Sequence, residues 1–424
     1  MSAAVQVEPG PAQGITSTVA PVAPLRERLL ALDVFRGMTV AGMLLVNNPG
    51  SWSAIYPPLA HAAWHGWTST DLIFPFFLFI VGVTTHLSLT TRRAMGADNR
   101  AIVRQILKRG AIIYLLGLAL NGFPYFDPVP GSFWGSSISR FGISPVTHES
   151  LLDTIRMLGV LQRIAIVYVC AALISVWSTP RQQAIIAGVL LVAYWIVMTA
   201  APVPGEGATG AALLGEPSRT LAAYVDRAVL GRHIYHGTKF WDPEGILSTI
   251  PAIVTAMLGI FAGRWIGKSI PLSDRISGLF ALGSLGVVAG LVWSWAFPIN
   301  KQLWTSSYVV FTAGMACVAL ATCTWLIDLR CYRKWTKPLM PFGMNPMIAF
   351  VGSGLMARTI YTLWKVESEQ TGKYITLQAA VYGKFFSSWI AEPKLASFLF
   401  AVTFVGLWWG ILALLLKRGI VWKV

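Results

Sequence analysis

The chain has 424 residues, of which 55% are hydrophobic and only 12% charged, with 18 Trp. Soluble domains carry about 25% charged residues, so this composition excludes an ordinary soluble domain and points to a polytopic membrane protein. The formal charge of +15 does not signal nucleic acid, because the cations gather in short loops between apolar runs, where they report orientation.

Residues 1–24 are rich in Ala, Pro, Val and Gly and lack a basic stretch followed by an apolar core. They read as a disordered N-terminal tail ahead of a single transmembrane domain, 25–424. Ten runs follow that suit a hydrocarbon core of about 30 Å, crossed by about 20 helical residues each. They lie near 29–48, 71–90, 106–123, 157–177, 182–201, 246–266, 277–297, 306–327, 340–361 and 394–416. The ninth is interrupted by Pro341, Gly343, Pro346 and Gly352 and reads as a broken span lining a cavity. Segment 374–391 reads as an eleventh, surface-lying or re-entrant helix. The fold class is therefore all-α, with ten to eleven membrane helices.

With ten spans, alternate loops share a side, and one side collects more than half of the 33 Lys and Arg in short loops and tails. The positive-inside rule places that side and both termini in the cytoplasm. Longer loops at 123–156, 202–245 and 362–393 then face the periplasm or a lumen. Their Gly, Pro, Trp and Tyr content suits an ordered cap.

Candidate chemistry appears at several points along the chain. In the first span, Asp33 and Arg36 share a helix face near the cytoplasmic end, while Asn47 and Asn48 close the far end. The pair reads either as an internal ion pair or as an anion site for a ligand entering from the cytoplasm. The asparagines read as a helix cap or as amide donors at a reacting centre. His61 and His65 lie in a loop without Lys, Arg or Glu, and Asp71 follows at the mouth of the second span. Imidazole moves protons near neutral pH, and a neighbouring carboxylate fixes its tautomer. A carboxylate entering an apolar span is costly, by roughly 2.5–3.5 kcal/mol at a helix centre, and so is a functional candidate.

Further on, Arg163 sits inside the fourth span beside Gln162, where it must be paired or face a cavity. Trp241, Asp242 and Glu244 precede the sixth span and suit either a helix start or a sugar or amine site. Asn300, Lys301 and Trp304 precede the eighth span, and Asn345 sits in the broken ninth. His61, His65, His233 and His236 match no zinc spacing, and Cys170, Cys317, Cys323 and Cys331 read as buried small hydrophobes, so no metal is expected. No phosphate-binding glycine loop, serine elbow or His-Glu-x-x-His motif is present.

The blocks RLLALDVFRGMTVAGMLLVNN, YPPLAHAAWHGWTSTDLIFPFFLFIVG, GVLQRIAIVY, WDPEGILSTIPAIVTAMLGIFAG, PINKQLWTSSYVVF and PFGMNPM occur in this order. Together they resemble the heparan-α-glucosaminide N-acetyltransferase family and its bacterial relatives over about residues 26–360. The resemblance implies transfer of an acetyl group from cytosolic acetyl-CoA to a glucosamine-type amine across the membrane. It implies His61 as the catalytic histidine, Asp71 as its aspartate and Asn47 as the asparagine closing the first span.

On that reading Arg36, Arg104, Lys108, Asp33 and Arg163 serve acetyl-CoA, with arginines neutralising its phosphates. Asn48, His65, Trp241, Asp242, Glu244 and Asn345 are expected around the acceptor. The expected partners are the lipid bilayer, acetyl-CoA and an amino-sugar or glycan acceptor at a bacterial inner membrane, without nucleic acid. A homo-oligomer is compatible with all of this. His61 acts either as general base or as an acetyl-carrying nucleophile. The rival readings are an amino-sugar transporter and an O-acyltransferase acting on an envelope polysaccharide.

Overall fold

The computed structural model describes residues 29–128, 137–139, 150–368 and 372–422. Its main elements are α1 (Leu30–Asn47), α2 (Ile73–Ala94), α3 (Asn99–Gly122), α4 (Val160–Trp177), α5 (Pro180–Ala200) and α6 (Leu221–Leu230). They continue with α7 (Ile246–Ile266), α8 (Leu272–Trp293), α9 (Ser306–Thr324), α10 (Met340–Met344), α11 (Pro346–Arg358) and α12 (Pro393–Lys417). Two short antiparallel hairpins pair Phe126–Pro128 with Ser137–Ser139 and Lys365–Glu367 with Tyr374–Thr376. The protein is an all-α polytopic membrane protein.

Eight helices among the described residues are long and apolar enough to cross a membrane. The expected count of ten is reduced at two places. The third run folds as α3, whose Arg100, Arg104, Lys108 and Arg109 keep it out of that set. The ninth run is cut in two at Asn345, because Pro346 opens α11 and has no backbone N–H to continue α10. Segment 374–391 is a short helix, Leu377–Tyr382, and a π turn, Gly383–Ser387, laid against α12 through Phe386 and Phe400. The expected tail 1–24 and most of the 129–149 loop lie outside the described residues.

Local chemistry fixes where several helices begin. Asp98 accepts from Ala101 N–H to start α3, and Thr179 with Gln182 forms a capping box around Pro180 at the start of α5. At the centre of the bundle α2 and α7 touch backbone to backbone. A Cβ at Gly82 would stand 2.0 Å from the Ala256 carbonyl oxygen, and one at Gly259 would stand 2.1 Å from that of Phe79. Small residues allow this approach where no hydrophobic effect drives helices together in lipid. Leu78, Val254, Ala256, Trp304, Tyr308 and Val309 fill the core around the contact. On α8, Leu282, Leu285 and Val288 point outward, as a lipid-facing helix requires.

Candidate active site

The loop between α1 and α2 is tied down by one carboxylate. Thr68 caps the short 3-10 turn Ser69–Leu72, and Asp71 is the third residue of the capping box. Asp71 Oδ2 accepts from the Thr68 and Ala62 backbone N–H groups, each at 3.0 Å. Oδ1 faces His61 Nδ1 at 2.7 Å. Tyr308 from α9 donates to the Asp71 carbonyl at 2.5 Å, holding the turn from behind. The same side chain therefore starts a helix and orients an imidazole. Asp71 is 1% exposed at its side chain and His61 is 49% exposed, so the pair is anchored at one end and open at the other. A proton on Nδ1 satisfies the carboxylate and leaves the lone pair on Nε2.

Lys301 completes the cluster. Its ammonium lies 3.1 Å from His61 Nδ1, 3.4 Å from Nε2 and 3.6 Å from Asp71 Oδ1. The loop carrying it is rigid: Asn300, fully buried, accepts from Leu303 N–H at 2.9 Å and its carbonyl accepts from Thr305 N–H at 3.1 Å. Trp304 follows at φ 51°, a strained value for a bulky residue, and its ring packs on Phe74 and Tyr308. Burial pulls the Lys301 ammonium below the usual lysine range, and Asp71 and Glu244 oppose that pull.

A second charged group stands across the same space. The Arg156 guanidinium donates through Nε to Asp242 Oδ2 at 2.9 Å and through its other nitrogen to both Asp242 and Glu244. Asp242 also accepts from Tyr235 N–H at 3.1 Å and Glu244 N–H at 2.9 Å. Burial works against the charge on Glu244, yet Arg156 and Arg163 hold its carboxyl below the usual range. Tyr235 covers Arg156, with the guanidinium 4.5 Å from the ring centre.

His61, Asp71, Lys301, Asn47, Arg156 and Glu244 all line one cavity of about 660 Å³, with Trp64, Trp304 and Phe350 among its apolar walls. A smaller cavity of about 290 Å³ adjoins it through Asn47, Arg156, Phe350 and Arg358. A third, of about 980 Å³, opens at the opposite end of the bundle. Five cations line it: Arg36, Arg92, Arg104, Lys108 and Arg109. Pro346 and Met347, just past the helix break, belong to the walls of both this basic cavity and the His61 cavity. Along α1 the basic cavity is lined by Arg36 and the His61 cavity by Thr39, three residues or about 4.5 Å further on.

The expected residues fall into two groups. His61, Asp71, Asn47 and Glu244 come together at one end, and Arg36, Arg104 and Lys108 at the other. The rest stand apart from these two linings. Asp33 pairs with Arg36, whose Nε also donates to the Gly343 carbonyl at 2.7 Å. Arg163 is fully buried away from the basic cavity, donating to Ser248 and to the Gly245 carbonyl and stacking on Trp304 at 5.1 Å. Asn48 caps α1 by donating to the Leu44 carbonyl at 2.8 Å. His65 lies 3.4 Å from Asn300 Nδ2, and Trp241 donates to Gln302 at 2.7 Å. Asp242 lies behind Arg156. Asn345 is fully buried near the basic cavity, bonded to the chain after α12.

Sequence reasoning left out Arg156 and Arg358 and gave Lys301 no role. A signal for Arg156 was present: two acids before a helix start, in a protein with few charges, require a cation nearby.

A family model described as heparan-alpha-glucosaminide N-acetyltransferase, catalytic, matches residues 28–289. A Mus musculus protein named heparan-alpha-glucosaminide N-acetyltransferase is 28% identical over 404 residues, covering 84% of this chain and 57% of its own length. A Homo sapiens protein of the same name is 27% identical over 398 residues, covering 82% and 56%. The chain thus spans a little over half the length of these relatives. His61, Asp71, Arg156 and Glu244 lie inside the matched stretch, and Lys301, Asn345 and Met347 lie beyond it.

Proposed function

The chain belongs to the heparan-alpha-glucosaminide N-acetyltransferase catalytic family, and from that premise we propose that it moves an acetyl group from acetyl-CoA to the amine of an amino sugar. The donor enters the basic cavity and the acceptor enters at the His61 end. The observation that carries this reading is that Pro346 and Met347 line both cavities, with paired His61 and Asp71 in one and five cations in the other.

Arg36, Arg104 and Lys108 neutralise the donor phosphates, and the pantetheine arm carries the thioester past Met347. From Arg36 to Asn47 α1 rises about 16 Å, close to half of the hydrocarbon thickness of about 30 Å. The acceptor nitrogen attacks the thioester carbonyl carbon, forming the C–N bond. His61 Nε2 takes the proton released by the nitrogen, and Asp71 steadies the imidazolium. The amide of Asn47 and the ammonium of Lys301 supply positive dipole and charge for the tetrahedral oxyanion. As the intermediate collapses the C–S bond breaks, and the thiolate takes the proton from His61. By the positive-inside rule the basic end faces the cytoplasm, so acetyl crosses to the far side of a bacterial inner membrane.

The test is release of free CoA by purified protein in detergent, with glucosamine as acceptor. His61→Ala keeps acetyl-CoA binding and loses transfer by at least ~10²-fold; an active His61→Ala protein overturns the assignment. Labelled acetyl trapped on His61 without acceptor would convert the base into a nucleophile. Two cavities that share a wall also suit a transporter of amino sugars, and uptake into vesicles without CoA release would establish that rival.

A further inference from the structure

We propose that Trp422, in the segment following α12, is a donor-binding residue that stacks on the adenine of the acyl donor. The inference rests on the reading of the basic cavity as the acetyl-CoA site.

Helix α12 ends at Lys417, and Gly419, at φ 72°, turns the chain in a backbone conformation that side chains other than glycine's rarely adopt. The Ile420 N–H returns to the Leu415 carbonyl at 2.9 Å, closing the helix end. The chain is then fastened from the side by Asn345. Its Nδ2 donates to the Ile420 carbonyl at 3.1 Å, and its Oδ1 accepts from the Trp422 N–H at 2.9 Å. An asparagine with no exposed surface thus spends both ends of its amide on this one segment. Two hydrogen bonds from one buried amide specify a path for the chain, because breaking either leaves an end of that amide unsatisfied.

The path leads Val421 and Trp422 into the wall of the basic cavity, which Arg104 and Lys108 also line. Trp422 keeps 41% of its surface exposed. Phosphate-neutralising cations and an accessible indole in one cavity match the two halves of a nucleotide, which are a phosphate group and an aromatic base. Base–aromatic stacking tolerates any base because each presents a π face. Neither a free phosphate nor an acyl-pantetheine without nucleotide would use both halves. Asn345 also sits at the break between α10 and α11, directly before Pro346 and Met347. The residue that seats the segment therefore also stands next to the wall shared by the two cavities, which makes Asn345 a positioning residue.

The experiment measures binding of CoA and of pantetheine to the purified full chain by calorimetry, and KM for acetyl-CoA and acetyl-pantetheine in the CoA- or thiol-release assay. Trp422→Ala is expected to weaken CoA binding and raise KM for acetyl-CoA by about tenfold while leaving pantetheine and acetyl-pantetheine unchanged. Trp422→Phe restores most of the loss. Equal weakening of both donors would mean a structural role, and no change for either would mean an interfacial anchor; each overturns the inference. Asn345→Asp, which keeps the acceptor and loses the donor, is expected to show the same donor-selective direction with a smaller change. If wild-type protein binds no CoA, the donor reading itself fails. If it binds CoA and Trp422→Ala binds it equally, the stacking inference alone fails.

Discussion

At the scale of single residues, the site depends on how three charged or titratable groups share one place. Asp71 is nearly out of contact with solvent, and its oxygens are divided between two backbone N–H groups and one imidazole. Lys301 brings a positive charge to the same carboxylate from a loop 230 residues later. Its ammonium is pulled below the usual lysine range, so it loses its charge at a lower pH than a free lysine. Activity that needs this charge falls as pH rises through that lowered value. Lys301→Arg keeps a cation that does not deprotonate. The expected outcome is an alkaline limb in kcat against pH for the wild type that moves to higher pH in Lys301→Arg, while Lys301→Met loses about 10–100-fold on the plateau below that limb and shows no such limb. An unchanged limb in Lys301→Arg would remove Lys301 from the chemistry. Asp71 stood out in the sequence because a carboxylate at the mouth of an apolar span is rare and costly, and the family resemblance singled out His61; their pairing at 2.7 Å is what the structure adds. Lys301 did not stand out, because nothing local in a Pro-Ile-Asn-Lys loop reveals which distant carboxylate it meets.

At the scale of elements, eight of the ten expected runs fold as helices long and apolar enough to cross a membrane, since length and apolarity are what a bilayer demands of them, while α3 and α8 begin seven and five residues before the expected starts. What the pattern could not give was the packing of the long loops. The start of α7 illustrates this. Asp242 and Glu244 suited a helix start by sequence, yet the groups at the head of α7 are capped by Asp226, from the separate helix α6. Its carboxylate accepts from Asp242 N–H at 3.0 Å and Ile246 N–H at 2.9 Å. Gly245 is required there, because a Cβ would stand 2.2 Å from Asp226 Oδ2. Burial pushes the Asp226 carboxyl up to about 6, against the two N–H groups that favour its charge. A folded pKa above the unfolded one gives stability that is fully present below about pH 4 and is lost as pH rises through about 6. The two-unit difference corresponds to ~2–3 kcal/mol. Thermal unfolding of wild type and Asp226→Asn in detergent, compared from pH 4 to 8, is expected to show this loss in the wild type only. Parallel curves would mean that the carboxyl is not held in its neutral form by the fold.

At the scale of the whole molecule, the broken ninth span connects the two ends. The prolines and glycines of 340–361 predicted a break lining a cavity, and the break is where the basic cavity and the His61 cavity share walls. Sequence could place cations on one side and a histidine on the other, but the distance between the chambers depends on how α1 crosses α10. There Gly37 and Gly343 let backbones meet, with a Cβ at Gly343 standing 2.1 Å from the Asp33 carbonyl oxygen. This tight crossing sets α11 against α1, and Met347 of α11 lies in the wall that the two cavities share. On the proposed reading a slender pantetheine arm passes this wall, and a flexible, unbranched thioether suits that place. Met347→Trp adds a rigid ring at that point. If the thioester passes there, the variant binds CoA within about threefold of wild type, since the cations of the basic cavity are untouched, yet acetyl transfer falls by at least ~10²-fold, as expected when reacting groups are held apart by even about 1 Å. Met347→Ala removes bulk there and retains transfer. Full transfer by Met347→Trp would mean that donor and acceptor meet by another route, and the shared wall at Pro346 and Met347 would then separate the two cavities rather than join them.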